Sequence, residues 1–258
     1  MNWGMHMRKS ICRYVRNEAG LTLVELLASL TIFIVILIPL SSVYLSGITT
    51  YGKTQVQTSL RNEADFIIGD IMNTLQDASY FDLDDGTDNT NSKEDIFAIL
   101  RSAHIVSETD SSSFKKAIAT YKREVNYETL PSSSTEKVPV SILNKKLFQL
   151  APSTGIYSSF SYDPSYLVYG LFRIMEGNTN PNSKKVAVYL IIAPKAQNNG
   201  NIQNGQKTAF TNLQEIKEEV ETIQPISSGG TSSIESNVLF NYIYMVRTEI
   251  SVNSLSQE

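Results

Sequence analysis

Cysteine and histidine are nearly absent: the 258 residues contain one cysteine, Cys12, and two histidines, His6 and His104. A lone cysteine excludes an intrachain disulfide, so a fold outside the cell would have to be held by its core alone. Three such side chains are also too few for a His/Cys metal centre of the usual kind. An excess of positive charge is missing as well. The chain has 22 basic and 26 acidic residues; without the first twenty, which hold Arg8, Lys9, Arg13 and Arg16 against Glu18, 18 basic and 25 acidic residues remain, a net of −7. That balance gives no general attraction to phosphate backbones and leaves nucleic acid as a partner only through a local basic patch. There is no glycine-rich phosphate loop after a strand, no Cys/His cluster and no exposed-nucleophile motif. A Ser/His/Asp arrangement would have to use His104, and nothing around it supports one. The expectation is a protein without catalytic residues, and an anchored enzyme is the least supported class.

What the sequence does have is one long apolar run. Residues 1–20 are basic and polar, and residues 21–40 hold a single ionisable side chain, Glu25. About twenty apolar residues span a hydrocarbon core of roughly 30 Å. The basic flank on the N-terminal side places the N-terminus in the cytoplasm and the bulk of the chain outside. A secretory signal peptide would have a shorter apolar core with small residues after it; here the small pair, Ala19-Gly20, comes before it. A plain signal anchor explains length and orientation but not Glu25. A carboxylate in a spanning segment costs a few kcal/mol and marks function by default.

Gly20 followed by "LTLVELLASLTIF" resembles the N-terminal processing signal of type IV pilins and pseudopilins. In that family a Gly is followed by an apolar residue, commonly Phe, a Thr-Leu-hydrophobic run and a Glu five residues after the Gly. Gly20, Leu21, Thr22, Leu23, Val24 and Glu25 fit this pattern, with Leu21 in place of the usual Phe. The resemblance covers about twenty residues. It implies cleavage after Gly20 by a prepilin peptidase, N-methylation of Leu21, and assembly with other pilin or pseudopilin subunits through Glu25, Thr22 and the apolar helix. Pro39 lies where a helix-kinking proline is common in that family. The size of the chain favours a minor, tip-located subunit. The competing expectation is a surface-exposed binding or adhesion module, for DNA or a cell surface, with the helix as its carrier.

Beyond residue 45 the helical pattern continues to about residue 80. Val56, Leu60, Ile67, Ile71 and Leu75 fall within an arc of about 100° at 3.6 residues per turn, which describes an amphipathic half. From residue 21 to 80 this is on the order of 90 Å of helix. Pro39 removes one backbone donor and is expected to kink or open it locally; Gly47 and Gly52 are weaker points. The expected layout is a leader over 1–20, a membrane helix over 21–45, an amphipathic half over 46–80, and a β-rich extracytoplasmic domain over 81–258. The fold class is α+β, with the long helix packed on a mainly antiparallel sheet.

"DLDDGTDNTNSKED", residues 82–95, reads as the acidic loop that ends the helix. Asp82, Asp84 and Asp88, with Asp85 and Asp95 nearby, offer oxygen ligands for Ca²⁺, but Gly86 falls one place early for a standard calcium loop. A solvated acidic turn is the simpler reading, and no cofactor is expected. Strands are expected over 117–127, 138–143, 166–175, 185–193 and 238–252, and a short helix over 212–223. The aromatics Tyr157, Phe160, Tyr162, Tyr166, Tyr169 and Phe172 lie in a stretch with no cation before Arg173. This favours core packing over stacking on bases. The doublets Lys115-Lys116, Lys145-Lys146 and Lys184-Lys185 would have to converge to make a basic patch.

Overall fold

The computed structural model describes residues 22–86, 93–129, 137–150, 155–175, 183–196, 202–203, 206–222, 237–240 and 242–253. The chain forms two compact units, Met1–Gly52 and Lys53–Glu258. Helix α1, Leu23–Gln76, contributes to both.

Within the first unit α1 is apolar on all sides, and every described side chain is exposed. Several of its hydroxyls bond back to the helix. Ser29 donates to the Glu25 carbonyl at 2.8 Å, Thr31 to Leu27 at 2.7 Å and Ser41 to Leu37 at 2.8 Å. Bonds to the carbonyl four residues back satisfy a hydroxyl without solvent. The helix runs as one element through Pro39, whose ring nitrogen can give no bond to the Val35 carbonyl.

In the second unit the helical stripe is as expected. Leu60, Ala64, Ile67, Ile71 and Leu75 are buried, and Val56 is partly buried against the same cluster. They cover one face of a four-stranded antiparallel sheet, ordered β5 (Tyr166–Met175), β6 (Ser183–Pro194), β10 (Ile243–Asn253), β9 (Asn237–Phe240). On that face stand Val168, Phe172, Val186, Val188, Leu190 and Ile192. The other face, with Leu171, Ala187, Tyr189, Ile191 and Met245, is covered by α2 (Lys93–Ser102) and α3 (Leu213–Thr222). β6 is therefore buried on both faces, which is why its sequence is a continuous apolar run and not an alternation.

A second sheet is ordered β1 (Tyr80–Asp84), β2 (Ala117–Thr129), β3 (Lys137–Gln149), β4 (Tyr157–Ser159), with only the β3–β4 pair parallel. The two sheets join where Lys115 and Phe172 exchange backbone bonds of 2.8 Å in both directions. A two-stranded ribbon, β7 (Ile202–Gln203) with β8 (Gln206–Lys207), precedes α3.

Several expectations are corrected. Residues 82–84 are not loop: they belong to β1, which pairs antiparallel with the start of β2. Residues 93–95 open α2, with Glu94 and Asp95 in its first turn, where the helix dipole favours acids. α1 ends at Gln76 and not near residue 80. β3 continues to Gln149 through Asn144-Lys145-Lys146, because Lys145 and Lys146 lie on an exposed strand opposite Tyr121 and Thr120. The single strand expected over 238–252 is two strands: β9 and β10 pair antiparallel, with Phe240 opposite Ile243.

His104 closes α2. It is the single described non-glycine residue with positive φ, at 59°. The Ile105 amide donates to the Leu100 carbonyl and the His104 amide to that of Arg101, both at 3.0 Å. This double bond pattern with a left-handed residue just past the helix is a Schellman motif, and buried Leu100 and Ile105 supply its apolar contact.

Candidate functional site

The ionisable residue of the apolar run lies at the first turn of α1, and Thr22 is its partner. The Glu25 amide donates to Thr22 Oγ1 at 3.3 Å. The Thr22 amide and hydroxyl each donate to Glu25 Oε2 at 3.2 Å. This is a capping box: Thr22 is the N-cap, Glu25 the third helical residue, and each satisfies a donor that the helix start would otherwise leave open. The carboxylate also sits at the positive end of the helix dipole. The signal is in the sequence, since Thr22-Leu23-Val24-Glu25 has the T-x-x-E form, whereas the resemblance gives Thr22 a role in assembly with Glu25. Gly20 and Leu21, the expected processing residues, lie outside the described residues. One carboxylate oxygen, Oε1, has no bond recorded to it among the described residues. Chemically, the start of α1 is thus an anchored carboxylate with capacity to accept from a further cation.

Among the described residues, the aspartates of the 82–95 stretch have separate partners. Asp84 Oδ1 accepts from the Tyr157 hydroxyl at 2.5 Å and from the Gly86 amide at 3.0 Å. Burial, and then the Asp84 carboxylate, push the Tyr157 hydroxyl up to about 12. Asp85 is bonded to Lys115 at 2.6 Å, with Lys93 3.7 Å away. The Lys115 hydrogen bond lowers the Asp85 carboxyl from its ordinary value despite some burial. Asp82 accepts from the adjacent Leu83 amide. Asp88 lies outside the described residues. Among the described residues no group of three or more His, Cys, Asp or Glu side chains is arranged to hold a metal ion.

The aromatic stretch is mostly core. Tyr157, Phe160 and Phe172 are buried. Tyr162 and Tyr166 pack against the cluster that includes α1, and the Tyr166 hydroxyl bonds Ser59 of that helix. The lysine doublets do not share one sheet. Lys115 is bonded to Asp85, Lys145 lies 5.8 Å from the Tyr121 ring centre, and Lys185 belongs to β6 in the other sheet. Elsewhere Lys122 is paired with Asp77, Arg173 with Glu108, Lys217 with Asp95 and Arg247 with Glu249.

α1 is the one described helix long and apolar enough to cross a membrane. No family model, curated protein or solved structure matches the chain.

Proposed function

We propose that this chain is a pilin-like subunit: held in the membrane by the first half of α1, cleaved after Gly20 by a prepilin peptidase, methylated at Leu21, and assembled by its apolar helix into a pilus or pseudopilus. In this reading the N-terminus is cytoplasmic, the unit from Lys53 onward is extracytoplasmic, and the role is structural. The observation that carries it is the character of α1. One uninterrupted helix is apolar all round in its first half and buries a single stripe on an antiparallel sheet in its second. It begins with a carboxylate fixed by its own N-cap.

The capping box refines the role of Glu25. Cleavage would leave the Thr22 amide in place, so the box would survive processing. The new Leu21 amine would lie beside a carboxylate whose Oε1 accepts no bond from a described residue. A charge pair there, with that amine or with one from a neighbouring subunit, would be far stronger in low dielectric than in water. Helices that expose only apolar surface would then dock in the register that brings amine to carboxylate.

The test uses the full chain expressed beside a prepilin peptidase. Gly20→Val should leave the chain at full length on a gel, where the parent shortens by twenty residues. Glu25→Gln should still be processed but should enter sheared filaments poorly. Shortening of the Gly20→Val chain removes the proposed cleavage site, and normal incorporation of Glu25→Gln removes the charge-pair role.

A further inference from the structure

The β2–β3 hairpin extends beyond the strands beside it. β1 covers only Ala117 to Tyr121 of β2, and β4 covers only Leu147 to Gln149 of β3. Among the described residues no strand lies on the outer edge of β2 over 122–129 or of β3 over 137–146. Such edges present unpaired donors and acceptors and are ordinarily blunted.

The two edges are treated differently. The Tyr121 carbonyl accepts from the Ser79 amide at 2.9 Å, and the Arg123 amide donates to Ser79 Oγ at 3.3 Å. Odd-numbered residues of β2 thus direct their backbone groups outward, and Val125 and Tyr127 present theirs to the open edge. On β3 the residue opposite Tyr127 is Pro139. It faces outward in turn, has no N–H to offer, and is followed by Lys145 and Lys146, so this edge resists pairing. β2 contains no proline, and its Val125 and Tyr127 side chains are 53% and 67% exposed.

The sequence of that open edge complements itself. In an antiparallel arrangement centred on Val125, valine faces valine, Arg123 faces Tyr127 and Glu124 faces Asn126. These are an apolar pair, a cation on an aromatic ring and a hydrogen-bonding pair. The neighbouring registers lose this. Centred on Glu124, two glutamates face each other; centred on Asn126, Val125 faces Tyr127 and Arg123 loses the ring. Like charges directly opposite destabilise a strand pair. The face shared by Arg123, Val125 and Tyr127 has cations without an acidic partner: neither Arg123 nor Lys145 has a carboxylate within ion-pair distance among the described residues.

We propose that the open edge of β2 is a self-association surface, where β2 of one copy pairs antiparallel with β2 of a second copy about a two-fold axis at Val125. The result is a continuous β3-β2-β2-β3 sheet. Tyr80, which stands opposite Tyr121, and Ser79, whose hydroxyl already accepts from the Arg123 amide, limit the paired stretch to 123–127 on each strand, on the order of four backbone hydrogen bonds, donated by the Val125 and Tyr127 amides. A two-fold axis makes the interface closed and isologous. The inference does not depend on the filament reading.

The experiment is a cysteine scan in the full-length chain, in detergent and in lipid vesicles, with Cys12→Ser so that each introduced thiol is the only one. Across the axis, Val125 Cα atoms would be about 5.5 Å apart, within disulfide reach. The two Arg123 Cα atoms would be about 13 Å apart, beyond it. Under a copper–phenanthroline oxidant, Val125→Cys should give at least about tenfold more disulfide dimer than Arg123→Cys or Tyr127→Cys alone. Mixing equal amounts of Arg123→Cys and Tyr127→Cys should raise cross-linking to about half the Val125→Cys level, because about half of the dimers then combine the two variants. Adding Asn126→Glu to Val125→Cys should reduce the dimer several-fold by facing Glu124 with an acid, and adding Glu124→Lys as well should recover it. Both sites are exposed, so the fold should be kept, which circular dichroism checks. Equal cross-linking at all three positions, no excess at Val125→Cys, or no effect of the charge changes overturns the proposal.

Discussion

Thr22 and Glu25 satisfy each other across the first turn of α1: the amide of each donates to the side chain of the other, at 3.2 and 3.3 Å. Glu25 therefore has a structural role that is separable from its charge. Glutamine can occupy the same position of a capping box and alanine cannot. Glu25→Ala should weaken the helix start by about 1 kcal/mol, and Glu25→Gln by a small fraction of that. Amide exchange of the first turn, measured on the full chain in micelles, should speed several-fold in Glu25→Ala and change little in Glu25→Gln. Equal acceleration in both would mean that the carboxylate charge, and not the cap, holds the turn.

The sheet between α1 and α2/α3 sets where the chain can be cut. A fragment beginning near Lys53 keeps Leu60, Ala64, Ile67, Ile71 and Leu75 over the face bearing Val186, Val188, Leu190 and Ile192. It should be soluble and monodisperse at low concentration. A fragment from Glu94 would lose that stripe together with β1. Each leucine or isoleucine so uncovered contributes about 1.5–3 kcal/mol of burial. The shorter fragment should aggregate or fail to show a cooperative urea transition. A cooperative transition of equal midpoint in both fragments would show that the helix stripe is dispensable.

How much of this was readable from the sequence follows from what covers each element. β5 was placed at its observed bounds and β6 nearly so, because buried central strands are apolar runs that stand out. α3 and the stripe of α1 were legible by period. β1 was not, since "YFDLD" gains its identity only from pairing with residues 117–121, far along the chain. α2 was absorbed into the acidic loop because its first turn is Lys-Glu-Asp. β3 was cut short at three polar residues that are polar because that strand is exposed. At the candidate site, the motif pointed to Gly20, Leu21, Thr22 and Glu25, but not to a bond between Thr22 and Glu25. The reciprocal bond of Thr22 needed only the recognition of its T-x-x-E spacing.

His104 carries a backbone conformation that suits glycine better. A left-handed non-glycine residue costs about 1 kcal/mol, and glycine is the preferred occupant past a Schellman-capped helix. The histidine side chain is exposed, so little packing would be lost. His104→Gly should stabilise the fold by about 0.5–1 kcal/mol, partly offset by the entropy of the unfolded chain. His104→Val should destabilise it. Urea midpoints of the three proteins give the order, and a glycine variant no more stable than the parent would contradict the strain.

Gly170 presents the opposite case, a glycine required by space. It lies in β5, and a Cβ there would meet Leu150 Cδ1 at 2.4 Å and the Tyr189 carbonyl oxygen at 2.6 Å. The carbonyl belongs to the neighbouring strand and cannot turn aside as a side chain could. Gly170→Ala should cost about 1–3 kcal/mol by overpacking, visible as a lower thermal midpoint. Gly69, with nothing within 4 Å of its Cβ position, is the control; Gly69→Ala should be neutral or stabilising by up to about 1 kcal/mol on helix propensity.

Glu108 and Arg173 form an ion pair beside Phe114, over whose ring the guanidinium lies at 5.3 Å. Burial alone would raise the Glu108 carboxyl, but the Arg173 hydrogen bond and charge outweigh it and leave the carboxyl below its ordinary value. A carboxylate lowered on folding contributes stability that is fully present above its unfolded value, near pH 4.3, and is lost as pH falls through the lower folded value. Glu108 is more than one-third exposed, so screening makes the contribution modest. Glu108→Gln removes the charge and keeps the shape. The parent should be more stable than this variant at pH 7, and the gap should close as pH falls below about 4.3 and through the lower folded value, where Glu108 takes up its proton. Added salt at pH 7 should narrow the gap in the same direction. Urea midpoints of parent and variant from pH 7 downward measure it, and a gap that never diminishes in acid would place the effect in packing on Phe114 and not in the charge.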